Sequence, residues 1–259
     1  MKIEGKCALV TGGANGIGLN IVRNLLIRGA KCVVILDLDK EGGTEAKKNL
    51  EKEYGKNRIF FFPCDVTKLD EFEDKFKKSL EVCNKVDIFV NNSGVLNEVD
   101  WTGMIDINLR ALIKGTKLAL DHMGTSKPSE DKIIVNMASI GGLSKYEGSE
   151  AFAVYQASKY GVVGFSTAIK KACDDRGIKL LIICPGAVEK TNVFTNYLKA
   201  AAESKLGDFV TQTPENVGFL IVDLIERNIK ETTWVIEDNK TPYAVQFPHY
   251  STVKIASLN

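Results

Sequence analysis

Histidine is scarce in this chain and cysteine follows no motif. His122 and His249 are the only histidines among 259 residues, and neither has a partner at ligand spacing. Neither a histidine-based metal site nor a Ser-His-Asp triad is therefore expected. The six cysteines, Cys7, Cys32, Cys64, Cys83, Cys173 and Cys184, form no CxxC and match no metal spacing. Cys7, Cys32, Cys64 and Cys184 sit in apolar strand-like runs, so the set reads as buried free thiols in a reducing compartment, and the cytoplasm is the expected location. No apolar run reaches the roughly 18 residues a membrane span needs. The start, Met1-Lys2-Ile3-Glu4-Gly5-Lys6, enters a strand pattern without an apolar leader, so no signal peptide is expected. Charge of one sign is also lacking. With 34 Lys+Arg against 33 Asp+Glu the formal net charge is +1, which argues against a nucleic acid as the main partner.

What is present is ordinary globular material, 44% hydrophobic and 26% charged. Apolar runs at Cys7–Thr11, Lys31–Asp37, Ile59–Cys64, Val86–Asn91, Ile133–Ser139, Lys179–Cys184 and Thr233–Ile236 read as strands buried on both faces. Between them lie helical patterns at Ile17–Arg28, Lys40–Tyr54, Leu69–Cys83, Trp101–Met123, Phe152–Asp175 and Pro214–Asn228. Unbroken alternation of this kind predicts βαβ units wound into one doubly wound parallel sheet of about seven strands with helices on both faces. With no linker, repeat or low-complexity stretch, the expectation is one domain over 1–259. Two stretches break the alternation, the Gly-rich loop Gly141–Glu150 and the mixed segment Ala187–Val210, and ligands bind at such connections in open α/β sheets. The tail Lys240–Asn259, with Tyr243, Phe247 and Tyr250, is not assigned a place.

The first strand leads into Thr11-Gly12-Gly13-Ala14-Asn15-Gly16-Ile17-Gly18 and then a helix. Glycines at 12, 16 and 18 allow a tight turn and let a pyrophosphate reach the backbone, while the helix N-terminus offers unpaired N–H groups. A Gly-rich turn is often only a turn, but its place between first strand and first helix predicts dinucleotide binding. No Gly-Lys-Ser/Thr follows, which excludes a P-loop. Asp37 ends the second strand, where a carboxylate can accept hydrogen bonds from a ribose and repel a 2′-phosphate. Leu38 and Asp39 add no cation, so NAD is expected rather than NADP. The plainer reading of Asp37 is a cap for the next helix.

Tyr155 and Lys159 stand at i, i+4 on one predicted helix, hence on one face. A free tyrosine titrates near pH 10, and a neighbouring ammonium favours its phenolate, which makes a proton-exchanging group. Ser139 ends the fifth strand, at the mouth of the sheet, and can hold a substrate oxygen. Asn108 is a mediocre helix former inside a helix, a place where it can free a carbonyl and hold a relay water.

Taken together and in order, Thr11–Gly18, Asp65-Val66, Asn91-Asn92-Ser93-Gly94, Asn108, Ser139, Tyr155-Gln156-Ala157-Ser158-Lys159 and Pro185-Gly186 resemble the short-chain dehydrogenase/reductase family over nearly the whole chain. The resemblance implies a Rossmann-like fold, a nicotinamide cofactor and a catalytic set of Asn108, Ser139, Tyr155 and Lys159, with Lys159 also on the nicotinamide ribose. It places Gly12, Asn15, Gly16, Ile17, Gly18 and Asp37 on the cofactor. Asp65 and Val66 would lie by the adenine, Asn92, Ser93 and Gly94 by the ribose, and Pro185, Gly186, Val188 and Thr191 by the nicotinamide. Within the family the chain is most similar to NAD-dependent 15-hydroxyprostaglandin dehydrogenases and insect-type alcohol dehydrogenases. It departs from them in carrying Ser93 for Ala, Phe152 where the prostaglandin enzymes have Gln, and Thr191 one residue late.

The resulting expectation is an NAD-dependent oxidoreductase acting on a secondary alcohol or ketone of an apolar or amphipathic small molecule. The alternative is an NAD(H)-sensing protein without turnover. Ile140, Leu143, Tyr146, Phe152, Val188, Phe194 and Tyr197 are the candidate substrate lining. Apolar residues beyond one face of Phe152–Asp175, with the family's pairing through this helix, imply a homodimer or homotetramer.

Overall fold

The computed structural model describes residues 1–124, 131–143, 150–196, 198, 210–227, 229–248 and 252. All the expected strands form, with ends within two residues of the expected limits. They are β1 (Cys7–Thr11), β2 (Cys32–Asp37), β3 (Ile59–Pro63), β4 (Ile88–Asn91), β5 (Lys132–Met137), β6 (Ile178–Pro185) and β7 (Thr233–Ile236). The helices are α1 (Gly16–Ile27), α2 (Lys40–Tyr54), α3 (Leu69–Cys83), α4 (Trp101–Ile105), α5 (Leu112–Met123), α6 (Ala153–Asp174) and α7 (Pro214–Glu226). The sheet order is β3-β2-β1-β4-β5-β6-β7, parallel throughout, extended at the β7 edge by an eighth strand.

Burial explains the near-continuous apolar runs. Along β1, Ala8 and Val10 enter the core under α1 and α7, while Cys7 and Leu9 enter the opposite core with Phe72 and Phe76 of α3. Alternate side chains thus feed two layers, so every strand position must be apolar. α1 places Ile21, Val22, Leu25 and Leu26 inward and crosses α7 closely enough that a Cβ on Gly218 would lie 2.6 Å from Asn20 Cβ. Asp39 starts α2 by accepting the Gly42 N–H at 2.9 Å, so the capping role considered for Asp37 belongs to Asp39.

One element is added and two expectations need correction. First, the tail supplies β8 (Tyr243–Val245), antiparallel to β7, so among the described residues the sheet has eight strands, the seven expected and one more. A three-residue, mostly exposed edge strand carries no apolar alternation to reveal it. Second, Trp101–Met123 is not one α-helix: Asp106–Ala111 is a π-helical turn between α4 and α5. Third, the cysteines are not all free. Cys32 and Cys83 form a disulfide across 51 residues, with Cα atoms 6.5 Å apart, while Cys7, Cys64, Cys173 and Cys184 are free and buried. β1 and β2 pair Cys7 with Cys32, and α3 packs on the same face and ends at Cys83. The sulfurs of all three lie within 4.8 Å of one another. His122 stacks on Phe76, with ring centroids 5.6 Å apart, in a packing role. Among the described residues no helix is long and apolar enough to cross a membrane.

Candidate active site

The order β3-β2-β1-β4 reverses the direction of winding between β1 and β4, which opens a crevice at the carboxyl ends of the strands. A cavity of about 520 Å³ occupies it. Its floor begins at the turn after β1. Gly12 has φ +63, and a Cβ on Gly18 would lie 2.0 Å from the Gly12 carbonyl oxygen, so only glycine lets the turn fold back on α1. Asn15 precedes α1 without a side-chain capping bond, and the first turn has no acidic residue. The helix therefore presents its N–H groups and positive end to the cavity.

The turn is held from both sides. Thr11 Oγ1 accepts the Asn92 and Ser93 N–H groups at 3.0 and 3.1 Å. Asn92 Nδ2 donates to the carbonyls of Thr11 and Gly12 at 3.0 and 2.9 Å. Asp37 accepts the Ala14 N–H at 2.9 Å and the Asp39 N–H at 3.1 Å, which fixes its carboxylate at the end of β2.

At the other end of the cavity Met137 closes β5, and its carbonyl accepts the Lys159 ammonium at 3.1 Å. Lys159 is buried, and loss of solvent pulls its ammonium down to about 8. Its Nζ lies 5.7 Å from the centre of the Tyr155 ring. Ser139 is extended just beyond β5, its Oγ accepts the Gly141 N–H at 3.1 Å, and the same oxygen keeps an O–H to donate. A Cβ built on Gly141 would touch both Ser139 Oγ and Tyr155 Cε1 at 3.5 Å, which places the two side chains on either side of one small gap. Cys184, pushed up to about 12 mainly by burial, accepts from the Ser139 backbone as a neutral thiol.

Every residue expected at the site lines this cavity except Asn108. Asn108 is fully buried in the π-helical turn. Its Oδ1 accepts the Val95 N–H at 2.8 Å, and its Nδ2 donates to the Val95 carbonyl at 2.9 Å and to Ser158 Oγ at 3.1 Å. Ser158 in turn donates to the Tyr155 carbonyl at 2.6 Å. The side chain thus clamps the β4–α4 connection to α6 rather than facing the cavity. Thr191 lines the cavity while its hydroxyl donates to Val188 O at 2.8 Å and accepts the Phe194 N–H at 3.1 Å, capping the helical turn 192–196. Of the expected substrate lining, Ile140, Phe152, Val188 and Phe194 face the cavity; Leu143 packs against the core beside it. Tyr146 and Tyr197 lie outside the described residues.

Three residues passed over in the sequence shape the site. Glu98 accepts the Tyr155 N–H at 2.8 Å and the Val154 N–H at 3.2 Å. Asn196 donates to the Leu96 carbonyl at 2.8 Å. Gln212, fully buried, donates to the Ile236 carbonyl at 2.6 Å, and its backbone pairs with Ala187 and Glu189, so residues 188 and 212 run side by side. None of the three belongs to a motif; each is visible only once the loops are placed.

This crevice, with the Gly-rich turn at one end and Ser139, Tyr155 and Lys159 at the other, is the candidate active site. The family description "short chain dehydrogenase" matches residues 6–202, and the chain belongs to that family. Among relatives, the 15-hydroxyprostaglandin dehydrogenase [NAD(+)] of Rattus norvegicus is 37% identical over 83% of this chain and 79% of its own length. Alcohol dehydrogenase 1 of Ceratitis cosyra is 33% identical over 87% of this chain and 89% of its own. A crystal structure of a short chain dehydrogenase from Burkholderia cenocepacia J2315 in complex with NADP matches with a TM-score of 0.78 at 23% identity, covering 92% of this chain and 98% of that one, and shows the fold.

Proposed function

We propose that the protein is an NAD-dependent dehydrogenase of secondary alcohols, or the corresponding ketone reductase, with Tyr155 as its acid–base. The observation that carries this reading is the meeting of Ser139 and Tyr155 around one gap, with Lys159 Nζ 5.7 Å from the centre of the Tyr155 ring, in a cavity that the Gly-rich turn also lines.

The chain's own residues fit a dinucleotide. The uncapped N-terminus of α1 and the Cβ-free turn at Gly12, Gly16 and Gly18 suit a pyrophosphate, with Asn15 and Ile17 beside it. Asp37 suits the adenosine ribose and favours NAD over NADP, since its charge opposes a 2′-phosphate. All of the remaining cofactor residues line the same cavity, and in this reading Asp65 and Val66 take the adenine, Asn92, Ser93 and Gly94 the ribose, and Pro185, Gly186, Val188 and Thr191 the nicotinamide side. When bound, the nicotinamide supplies or accepts the hydride.

Ser139 orients the substrate oxygen through its O–H. Tyr155 takes the hydroxyl proton in oxidation and returns it in reduction. The Lys159 cation favours the phenolate of Tyr155 and, in this reading, also holds the nicotinamide ribose. Asn108 holds the Val95 backbone and Ser158, and through Ser158 the turn of α6 that carries Tyr155. Ile140, Phe152, Val188 and Phe194 offer an apolar wall for a steroid-, prostaglandin- or alkanol-like substrate.

The unit proposed is a single domain over 1–259, with residues 187–210 as the substrate loop. The outward face of α6 shows Ala153, Ala157, Tyr160, Gly164 and Ala168 to solvent. Small residues there allow a second α6 to approach closely, which supports a homodimer or homotetramer. For a cytoplasmic location the four free buried thiols speak in favour and the Cys32–Cys83 bond against.

The test is a panel of apolar secondary alcohols run with NAD and NADP in parallel. NADH formation is expected, falling at least about a hundredfold in Tyr155→Phe with NAD binding retained. Full activity of that variant would defeat the acid–base assignment, faster turnover with NADP the Asp37 argument, and NAD binding without turnover on any alcohol or ketone would favour a nucleotide sensor.

A further inference from the structure

We infer that Glu98 is a positioning residue for Tyr155: its carboxylate docks on the first turn of α6 and sets the height and charge environment of the phenol. This rests on Tyr155 as the acid–base of the reading above. Tyr155 is the third residue of α6, in the turn whose N–H groups have no helical partner. The residue that precedes this helix, Phe152, has no side chain able to accept those N–H groups, and no side-chain cap is made there. Glu98 fills that role from another part of the chain, 57 residues away, with one carboxylate oxygen on Tyr155 N and the other on Val154 N. Two charge-assisted bonds to adjacent N–H groups fix both the translation of α6 along its axis and its rotation.

The carboxylate is itself held. The short segment 95–98 is pinned at Val95 by both side-chain atoms of Asn108, and at Leu96 by Asn196 of the substrate loop. Leu96 is buried. Two side chains from two other elements, Asn108 and Asn196, therefore hold the four residues that end in Glu98. Asn108 belongs to the catalytic set implied by the family resemblance, and Asn196 to the proposed substrate loop. Glu98 closes the connection between the substrate loop and Tyr155.

Its charge also opposes the positive end of α6, where a bare N-terminus would favour the phenolate. Glu98→Gln keeps size and one acceptor but removes the charge. The alcohol-oxidising kcat of this variant is expected to fall several-fold, less than in Glu98→Ala, with its acid limb moved to lower pH, because loss of a negative neighbour favours the phenolate. Glu98→Ala removes both acceptors, and kcat is expected to fall about tenfold to a hundredfold with NAD affinity unchanged. Spectrophotometric tyrosinate titration of the protein without cofactor, differenced against Tyr155→Phe, should show the same downward displacement in Glu98→Gln. If Tyr155→Phe is inactive while both Glu98 variants keep the parental kcat, pH profile and titration, Glu98 has no positioning role. If Tyr155→Phe is fully active, the acid–base assignment fails first and this inference with it.

Discussion

Lys159 is the residue in which burial and chemistry meet. Its ammonium is taken from solvent and given one carbonyl acceptor, and so it releases its proton near pH 8 in the folded chain against 10.5 for the free group. Between those values the unfolded chain holds a proton that the folded chain has released. Stability from this group therefore rises with pH across that window. Denaturant unfolding of the parent and of Lys159→Met should show the parent gaining on the variant by about 2 kcal/mol between pH 7 and pH 10. A constant difference would mean that the ammonium is solvated after all. At neutral pH the group still carries its charge, as its proposed effect on Tyr155 requires. This pair was readable in the sequence because the i, i+4 spacing fixes a shared face whatever the helix packs against. Glu98 was not, because a carboxylate in a loop acquires a role only from the helix end that happens to face it.

At the scale of elements, the sheet is tied to its helices by a buried polar chain. Asn91 Nδ2 on β4 donates to Asn136 Oδ1 on β5 at 2.8 Å and to Thr116 Oγ1 on α5 at 3.1 Å. Asn136 Nδ2 donates to Ser166 Oγ on α6 at 2.9 Å. Asn136 and Ser166 are fully buried, and no water can replace a missing partner there without a cavity. Asn136→Ala takes the acceptor from one Asn91 N–H and from the Thr116 hydroxyl, and the donor from Ser166 Oγ, so a loss of about 2 kcal/mol or more is expected in denaturant unfolding. A loss below about 0.5 kcal/mol would show that these groups repair their bonds locally. Strands β1 to β7 were recoverable from apolar runs because burial on both faces leaves no choice of residue. The π-helical turn at Asp106–Ala111 was not recoverable. It shifts hydrogen-bond partners by one residue and leaves the hydrophobic pattern of Trp101–Met123 almost intact.

For the whole molecule, the least expected feature is the covalent link between the start of β2 and the end of α3. Sequence spacing could not reveal it, since 51 residues separate the two cysteines and only the packing of α3 on the sheet brings them together. Alkylation of the denatured, unreduced protein followed by mass analysis should label four cysteines and leave Cys32 and Cys83 joined. Six labels would mean that the pair is reduced in the isolated protein. Closing such a loop restricts the unfolded chain, a contribution of about 2–4 kcal/mol in comparable cases.

The pairing of residues 188 and 212, secured by the buried amide of Gln212, has a bearing on how such a molecule diversifies. The two ends of the intervening segment are thereby held together at a single pinned doorway, beside the reacting end of the crevice. Insertions or replacements inside that excursion add little closure entropy and do not disturb the sheet. Preference for one alcohol over another can thus drift by exchange of a single cassette, while the nucleotide half of the cleft stays as it is.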